Sequence, residues 1–230
     1  MIGIAFTGSG KTLAFSLPII MFAAEEQARI PYARGEGPTG MIVCPSRELA
    51  RQTYESVKGI AETMEKDGFP QIGVLLCIGG INMSDQQHTM SKGFHIVVAT
   101  PGRLQDMLEK KKFTLESCKY LCLDEADRMI DMGFAPQVGS ILEAMKGEVS
   151  GENGKALQRQ TVMFSATMAP EVFHLAKEYM VDEVVVEIGK VGRAVDRIKQ
   201  FVTLLKNNGD KSRLLNFLSN LSTFTTDDGV

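Results

Sequence analysis

Short apolar, β-branched runs recur along the chain at residues 1–6, 41–44, 73–78, 95–99, 120–123, 161–164 and 183–188, each the length of a buried strand. Stretches with helical spacing, such as 48–64 and 101–111, lie between them. Strand alternating with helix predicts an α/β fold with a mainly parallel, doubly wound central sheet flanked by helices, because parallel neighbours need a crossover connection. Thr100 followed by Pro101 reads as an N-cap and a first helical residue, and Ser84 as the cap of the segment after it. Pro18 should kink the first helix, since it removes one backbone donor and crowds the preceding turn. Residues 146–156 carry three glycines among mostly polar neighbours and read as a surface loop. After Ile188 the stretch GKVGRAVDR suits a linker; a strand-like IKQFVTLL and a helix-like run with Leu214, Leu215, Leu218 and Leu221 follow. The expected organisation is therefore a first domain over 1–190, then a linker and the truncated start of a second domain over 191–230, too little to close a core of its own.

Composition narrows this picture. A chain of 230 residues with 44% hydrophobic content can bury a sizeable core. The net charge of -3 excludes a protein that holds nucleic acid by a general basic field, so any such contact must be local. Cys44, Cys77, Cys118 and Cys122 sit in or beside apolar runs without the paired spacing of a zinc site, and read as reduced core residues. His88, His95 and His174 are scattered, which points to solvent or core positions. The 13 methionines, Met129, Met132 and Met163 among them, read as core filler. No apolar stretch has the length of a membrane span and the first residues lack the pattern of a secretory leader, so the expectation is a soluble intracellular protein with no membrane partner.

Six of the seven strand candidates run directly into a short polar or glycine-rich cluster: TGSGKT, PSRELA, GG, TPGR, DEAD and SAT. In an open α/β sheet, ligands bind outside the carboxyl ends of the strands, so these clusters should converge on one edge. Thr7, Gly8, Ser9, Gly10, Lys11 and Thr12 join a strand to a helix and read as a phosphate loop. Small residues let successive backbone N–H groups turn toward phosphate oxygens at a helix N-terminus. Lys11 would reach the β and γ phosphates of ATP, and the Thr12 hydroxyl could coordinate Mg²⁺. The general pattern begins with glycine where this chain has Ala5. Leu121-Cys122-Leu123 leading into Asp124-Glu125-Ala126-Asp127 places carboxylates at the end of a buried strand. Asp124 would hold the Mg²⁺ shell and Glu125 would polarise the attacking water.

In this order the motifs AFTGSGKT, RELA, GG, TPGR, DEAD and SAT resemble the first-domain series of the DEAD-box RNA helicases, with the match spanning nearly all of residues 1–190. The longer strings IGIAFTGSGKT, CPSRELARQT, HIVVATPGRL and LDEADRMIDMGF are most similar to the Abstrakt-type subgroup, which favours a nuclear over a cytoplasmic location and partners in pre-mRNA or ribonucleoprotein assembly. The resemblance implies a RecA-like domain that pairs with a second one to close over ATP and an RNA strand. It also implies that Ser165, Ala166 and Thr167, with Asp127, couple nucleotide state to RNA. Pro45, Ser46, Arg47, Gly79, Gly80, Thr100, Pro101, Gly102 and Arg103 match the family's sequence-independent contacts to the sugar-phosphate backbone. Position 46 departs as serine for threonine and keeps the hydroxyl. Helix capping at Thr100 and turn geometry at the glycines are equally good accounts of single residues in that set.

The family's adenine-reading segment before the phosphate loop and the arginine-bearing motifs of its second domain have no counterpart in the 230 residues. The expectation is that this polypeptide alone hydrolyses ATP slowly and unwinds nothing, with apolar sheet surface left exposed. Two other readings stay open: a noncatalytic nucleotide- or RNA-binding module, and a phosphate-loop enzyme that acts on DNA.

Overall fold

The computed structural model describes residues 1–29, 37–81, 86, 89–91, 93–145, 148–150 and 156–189. The chain divides into two units, Met1–Gly192 and Arg193–Val230, and all described residues lie in the first. The expected second-domain strand and helix, the Ser84 cap and His88 fall outside the described residues.

The first unit is the α/β sandwich that the alternation predicts. In chain order its elements are β1 (Ile2–Ala5), α1 (Lys11–Arg29), β2 (Gly40–Val43), α2 (Arg47–Lys66), β3 (Val74–Cys77), β4 (Ile96–Ala99) and α3 (Pro101–Glu109). There follow β5 (Tyr120–Leu123), α4 (Ala126–Asp131), α5 (Ala135–Ala144), β6 (Glu148–Ser150), β7 (Ala156–Gln158), β8 (Gln160–Ser165), α6 (Pro170–Tyr179) and β9 (Val185–Ile188). Seven strands form one parallel sheet in the order β3-β4-β2-β5-β8-β1-β9.

Each central strand is buried on two faces, so its apolar run is continuous rather than alternating. Ile2, Ile4, Met41, Val43, Leu121 and Leu123 pack under α3 to α6, while Ile42, Cys44, Val98 and Cys122 pack under α1 and α2. Phe15 of α1 meets Phe164 of β8 at 5.3 Å between ring centres. A methyl group on Gly3 would stand 2.7 Å from the Phe164 ring, so the glycine in β1 leaves room for that ring, and a methyl group on Gly40 of β2 would run into Ile19 of α1, so that glycine lets α1 settle close to the sheet.

The connections leaving the adjacent strands β1 and β8 diverge. From β1 the chain crosses by α1 on one face toward β2, and from β8 by α6 on the opposite face toward β9. Such a switch point opens a crevice at the carboxyl ends of the strands.

Two expectations need correction, the 146–156 loop and the burial of Met132, while helix α1 runs from Lys11 to Arg29 with Pro18 inside it. Pro18 is exposed, so the carbonyl that loses its N–H partner can face water. Within the segment read as a loop, β6 pairs antiparallel with β7, matching Val149 to Leu157. A window weighted by its three glycines conceals two three-residue strands, one on either side of Gly151 and Gly154. Met132 is 48% exposed, whereas Met129 and Met163 are core residues as read, because Met132 caps the end of the short helix α4 and turns outward. The four cysteines are free and buried, His95 is buried and His174 exposed. No helix among the described residues is long and apolar enough to cross a membrane. Exposed apolar side chains collect on the outer side of α1, at Leu13, Leu17 and Met21, and along the edge strand β9.

Candidate functional site

Residues 7–10 bridge β1 and α1 at the switch point. Gly8 and Gly10 have φ of +85° and +89°, and a Cβ on either would meet nothing within 4 Å. Glycine is needed there for the left-handed backbone and not for room. The turn is closed by Ser9 N–H donating to the Phe6 carbonyl at 3.3 Å, and the helix begins with Ala14 N–H donating to Gly10 at 3.1 Å. Ala5 ends β1 in a buried strand position, where a methyl group fits, which accounts for its departure from the general phosphate-loop pattern. The Lys11 ammonium folds back over the loop and donates to the Ala5 carbonyl at 2.5 Å. The Ser9 hydroxyl is buried without a hydrogen-bond partner.

Asp124 stands at the end of β5, its N–H bonded to the Val43 carbonyl at 2.9 Å and its residue only 3% exposed. Its Oδ1 has no hydrogen-bond partner. Burial, with the neighbouring Glu125 charge second, pushes its pKa up to about 6 against the opposing pull of Lys11. A buried carboxylate left this way is costly unless a cation meets it, and an anion-binding loop whose lysine it senses lies beside it. Among the described residues, Thr12 and Asp124 therefore fit a hard, oxygen-ligated divalent ion shared with a bound polyphosphate. Glu125 caps α4 with φ +53° and ψ +53°, a left-handed conformation rare for a non-glycine residue, and its carboxylate accepts from Arg128 Nη1 at 3.2 Å.

Asp127 joins two loops. One carboxylate oxygen accepts from the Thr167 N–H at 3.0 Å and from the Thr167 hydroxyl at 2.8 Å, and the other from the Arg128 N–H at 2.9 Å. Burial opposes ionisation of Asp127, but these donors outweigh it and hold its pKa below the ordinary value. Ser165 lies near enough to favour the same charge, though its buried hydroxyl makes no hydrogen bond of ordinary length. Ala166 is exposed beside it. The end of β5 is thereby tied to the end of β8.

A second group lies at the ends of β2, β3 and β4. Ser46 caps α2, its hydroxyl accepting from Leu49 N–H at 3.1 Å, and Pro45 before it is buried. Arg47 is exposed, and its Nη1 lies 3.0 Å from where a Cβ on Gly80 would stand. Gly80 has φ +81°, so the Gly79-Gly80 turn admits no larger residue there without strain. Thr100 occupies the N-cap position of α3 and Pro101 the first turn, yet the Thr100 hydroxyl makes no capping bond. Gly102 is exposed. Arg103 differs from the rest: its guanidinium donates to Asp106 at 3.1 Å and to Gln86 at 2.8 Å, with only 17% of the side chain exposed. Gln86 escaped sequence reasoning, because a glutamine nine residues past the end of a strand carries no local signal.

Residues 1–175 match the family described as DEAD/DEAH box helicase. The chain is 47% identical to the ATP-dependent RNA helicase abstrakt of Drosophila melanogaster, covering 95% of this chain and 34% of that protein. It is 48% identical to DEAD-box ATP-dependent RNA helicase 35 of Arabidopsis thaliana, covering 96% and 36%. With the pre-mRNA-splicing ATP-dependent RNA helicase prp28 of Schizosaccharomyces pombe the identity is 41%, covering 93% and 33%. Among solved structures, the yeast DEAD-box splicing factor Prp28 superposes with a TM-score of 0.74 at 34% identity, over 96% of this chain and 48% of that one. The chain thus spans about a third of the length of the curated relatives it matches.

Proposed function

We propose, because this chain belongs to the DEAD/DEAH box helicase family, that residues 1–190 are the first RecA-like domain of an ATP-dependent RNA helicase, and that 191–230 are the linker and the start of the second. The activity assigned to the whole protein is RNA-stimulated ATP hydrolysis that drives the remodelling of RNA duplexes or ribonucleoproteins. The observation that carries the reading is Asp124, a buried carboxylate with an unpartnered oxygen and a raised pKa, set beside a glycine loop whose lysine it senses.

The residues divide the work as their positions suggest. Backbone groups of Thr7, Gly8, Ser9 and Gly10 cradle phosphates, and Lys11, released from the Ala5 carbonyl, turns to the β and γ phosphates. Thr12 and Asp124 would hold the Mg²⁺ shell, and Glu125 would orient the attacking water. ATP with its Mg²⁺, when bound, supplies the phosphoanhydride and the charge neutralisation that phosphoryl transfer requires. Asp127 with Ser165, Ala166 and Thr167 passes the state of that site to the second group of loops. There Pro45, Ser46, Arg47, Gly79, Gly80, Thr100, Pro101 and Gly102 present an arginine, hydroxyls and backbone amides suited to a sugar-phosphate strand, with Arg103 behind them.

Within the family we favour an Abstrakt-type helicase, to which the abstrakt and helicase 35 proteins are about equally similar; pre-mRNA or ribonucleoprotein partners and a nuclear location are supported by the name of the less similar pre-mRNA-splicing helicase prp28. The runner-up is a noncatalytic module that keeps the nucleotide and RNA surfaces. Titrating a fluorescent ADP analogue with Mg²⁺ into the 230-residue chain, beside Lys11→Ala, tests the reading. Saturable binding weakened about a hundredfold or more by the substitution is expected, on the scale of a lost charged contact to phosphate. A folded wild-type chain that binds no nucleotide would overturn it.

A further inference from the structure

The edge strand β3 ends in the Gly79-Gly80 turn, and the neighbouring strand β4 ends in Thr100 and the first turn of α3. If these loops together grip an RNA strand, their separation must be held. Backbone bonds hold part of it: Thr100 N–H donates to the Cys77 carbonyl at 3.1 Å. Among the described residues, no further strand lies beside the outer edge of β3. Gly73 and Cys77 direct their carbonyls toward β4, so the Leu76 carbonyl, out of phase with them, points away from the sheet.

Gln86 meets that carbonyl. Its amide nitrogen donates to Leu76 O at 2.9 Å, and its amide oxygen accepts from Arg103 Nη2 at 2.8 Å. The residue is 3% exposed, so the amide is held in one orientation by a donor and an acceptor partner at once. Arg103 in turn binds Asp106 one helical turn further on, and Lys110 binds the other oxygen of the same carboxylate. Hydrogen bonds from Lys110 and Arg103 keep the Asp106 pKa below the ordinary value, so the chain stays charged at neutral pH. A continuous relay therefore runs from the open edge of β3 through Gln86 and Arg103 into α3.

Resting on the RNA reading above, we infer that Gln86 is a positioning residue for the RNA face, and that Arg103 acts through it as an internal tie instead of as a phosphate ligand. Arg103 Nη1 donates to Asp106 and Nη2 to Gln86, with only 17% of the side chain exposed, while the exposed Arg47, over the Gly79-Gly80 turn, is placed for the phosphate role.

The test is binding of a fluorescein-labelled single-stranded oligouridylate to the 230-residue chain at several salt concentrations, for wild type, Gln86→Leu, Arg103→Met and the double variant. Expected is about a tenfold loss of affinity in each single variant, the scale of a hydrogen bond to a charged group. The double variant should be no weaker than the singles, because one tie is broken in all three. The slope of log affinity against log salt should match wild type, and affinity for the fluorescent ADP analogue should not change. Wild-type affinity in Gln86→Leu, or a salt slope shallower by about 0.7 in Arg103→Met, would overturn the inference, since a lost phosphate contact on a single strand has that signature. If the folded wild-type chain binds no RNA, the RNA reading falls by itself, and amide exchange decides the tie. Faster exchange at Gly79, Gly80 and Gly102 in Gln86→Leu, with Gly8 and Gly10 unchanged, supports it. Unchanged exchange at those loops, or a uniform rise that includes Gly8 and Gly10, refutes it.

Discussion

The two ends of the same parallel strands are built on opposite principles. At the amino edge polar groups are bonded to one another. His95 Nδ1 accepts from Gly73 N–H at 2.9 Å and its Nε2 meets Gln27 at 2.8 Å, while its carbonyl takes the N–H groups of Thr39 and Gly40. Arg159 donates to the carbonyls of Cys118, Leu115 and Ala144, and Lys119 pairs with Glu26 at 2.6 Å. At the carboxyl edge, buried oxygens of Ser9, Asp124 and Ser165 have no hydrogen-bond partner and Glu125 has a left-handed backbone. Groups left unsatisfied in a folded chain lower its stability, and they persist where a ligand completes them. The contrast says that one edge holds the sheet together and the other holds itself ready.

The largest effect expected from breaking the contrast is at Arg159. Arg159→Met strips donors from three carbonyls while keeping the apolar stem, and should lower stability by about 3 kcal/mol, the range for losing several charge-assisted bonds. Urea denaturation measures this, with nucleotide affinity below the transition unchanged. A loss under about 1 kcal/mol would mean that solvent replaces the arginine and that the amino edge is not a clamp.

Almost as large, and opposite in sign, is the effect expected at Asp124. A carboxyl whose folded-state pKa rises from 3.8 to about 6 binds its proton more tightly when folded, so it adds no penalty while protonated. Stability then falls as pH rises through that window, by about 3 kcal/mol at completion. Asp124→Asn should therefore stabilise the nucleotide-free chain at pH 7 by an amount of that order and lose the advantage below about pH 4, while abolishing the hydrolysis proposed above. Equal stability of wild type and variant at pH 7 would show that the carboxylate is adequately solvated.

The legibility of these two edges in the sequence differs for the same physical reason. Phosphate-loop and acidic-cluster residues are contiguous, since several backbone or side-chain groups must converge within a few ångströms of one ligand. The clusters at the carboxyl ends could be placed on one edge because a parallel sheet aligns its strand ends. The strand runs themselves were legible because burial on two faces demands continuous apolar residues. The clamps of the amino edge join residues far apart in sequence: His95 reaches Gln27, Lys119 reaches Glu26, and Arg159 reaches Leu115. None of these pairs has a spacing that a periodicity can detect. Strand order, the β6–β7 hairpin and Gln86 were hidden for the same reason, being set by long-range pairing or by short runs without periodicity.

A smaller effect divides the edges by pH. Burial lowers the pKa of His95, whose Nδ1 already accepts a bond, so the folded chain resists the second proton. The unfolded chain binds that proton near the ordinary 6.5, so the stability that His95 contributes is present above that pH and declines as pH falls below it. His95→Phe should flatten the acid side of the stability profile in an Asp124→Asn background, where the opposing carboxyl no longer titrates. A slope unchanged by the substitution would assign the acid sensitivity to other groups.

The smallest expected effect, about 1 kcal/mol, tests whether Glu125 stores backbone strain. Its φ of +53° and ψ of +53° cost an L-residue with a Cβ but not glycine, although glycine is also more disordered when unfolded. Glu125→Gln keeps the strain and removes the charge; Glu125→Gly removes both, and each gives up the Arg128 pair in its charged form. Subtracting one stability from the other therefore cancels the electrostatic change and isolates the backbone. A glycine variant more stable than the glutamine variant by about 1 kcal/mol, with both silent in the proposed hydrolysis, places strain in the residue proposed to orient the water. Equal stabilities, or a weaker glycine variant, would mean that the surrounding turn makes the left-handed conformation comfortable. The carboxyl edge would then owe its readiness to the unpaired oxygens of Ser9, Asp124 and Ser165.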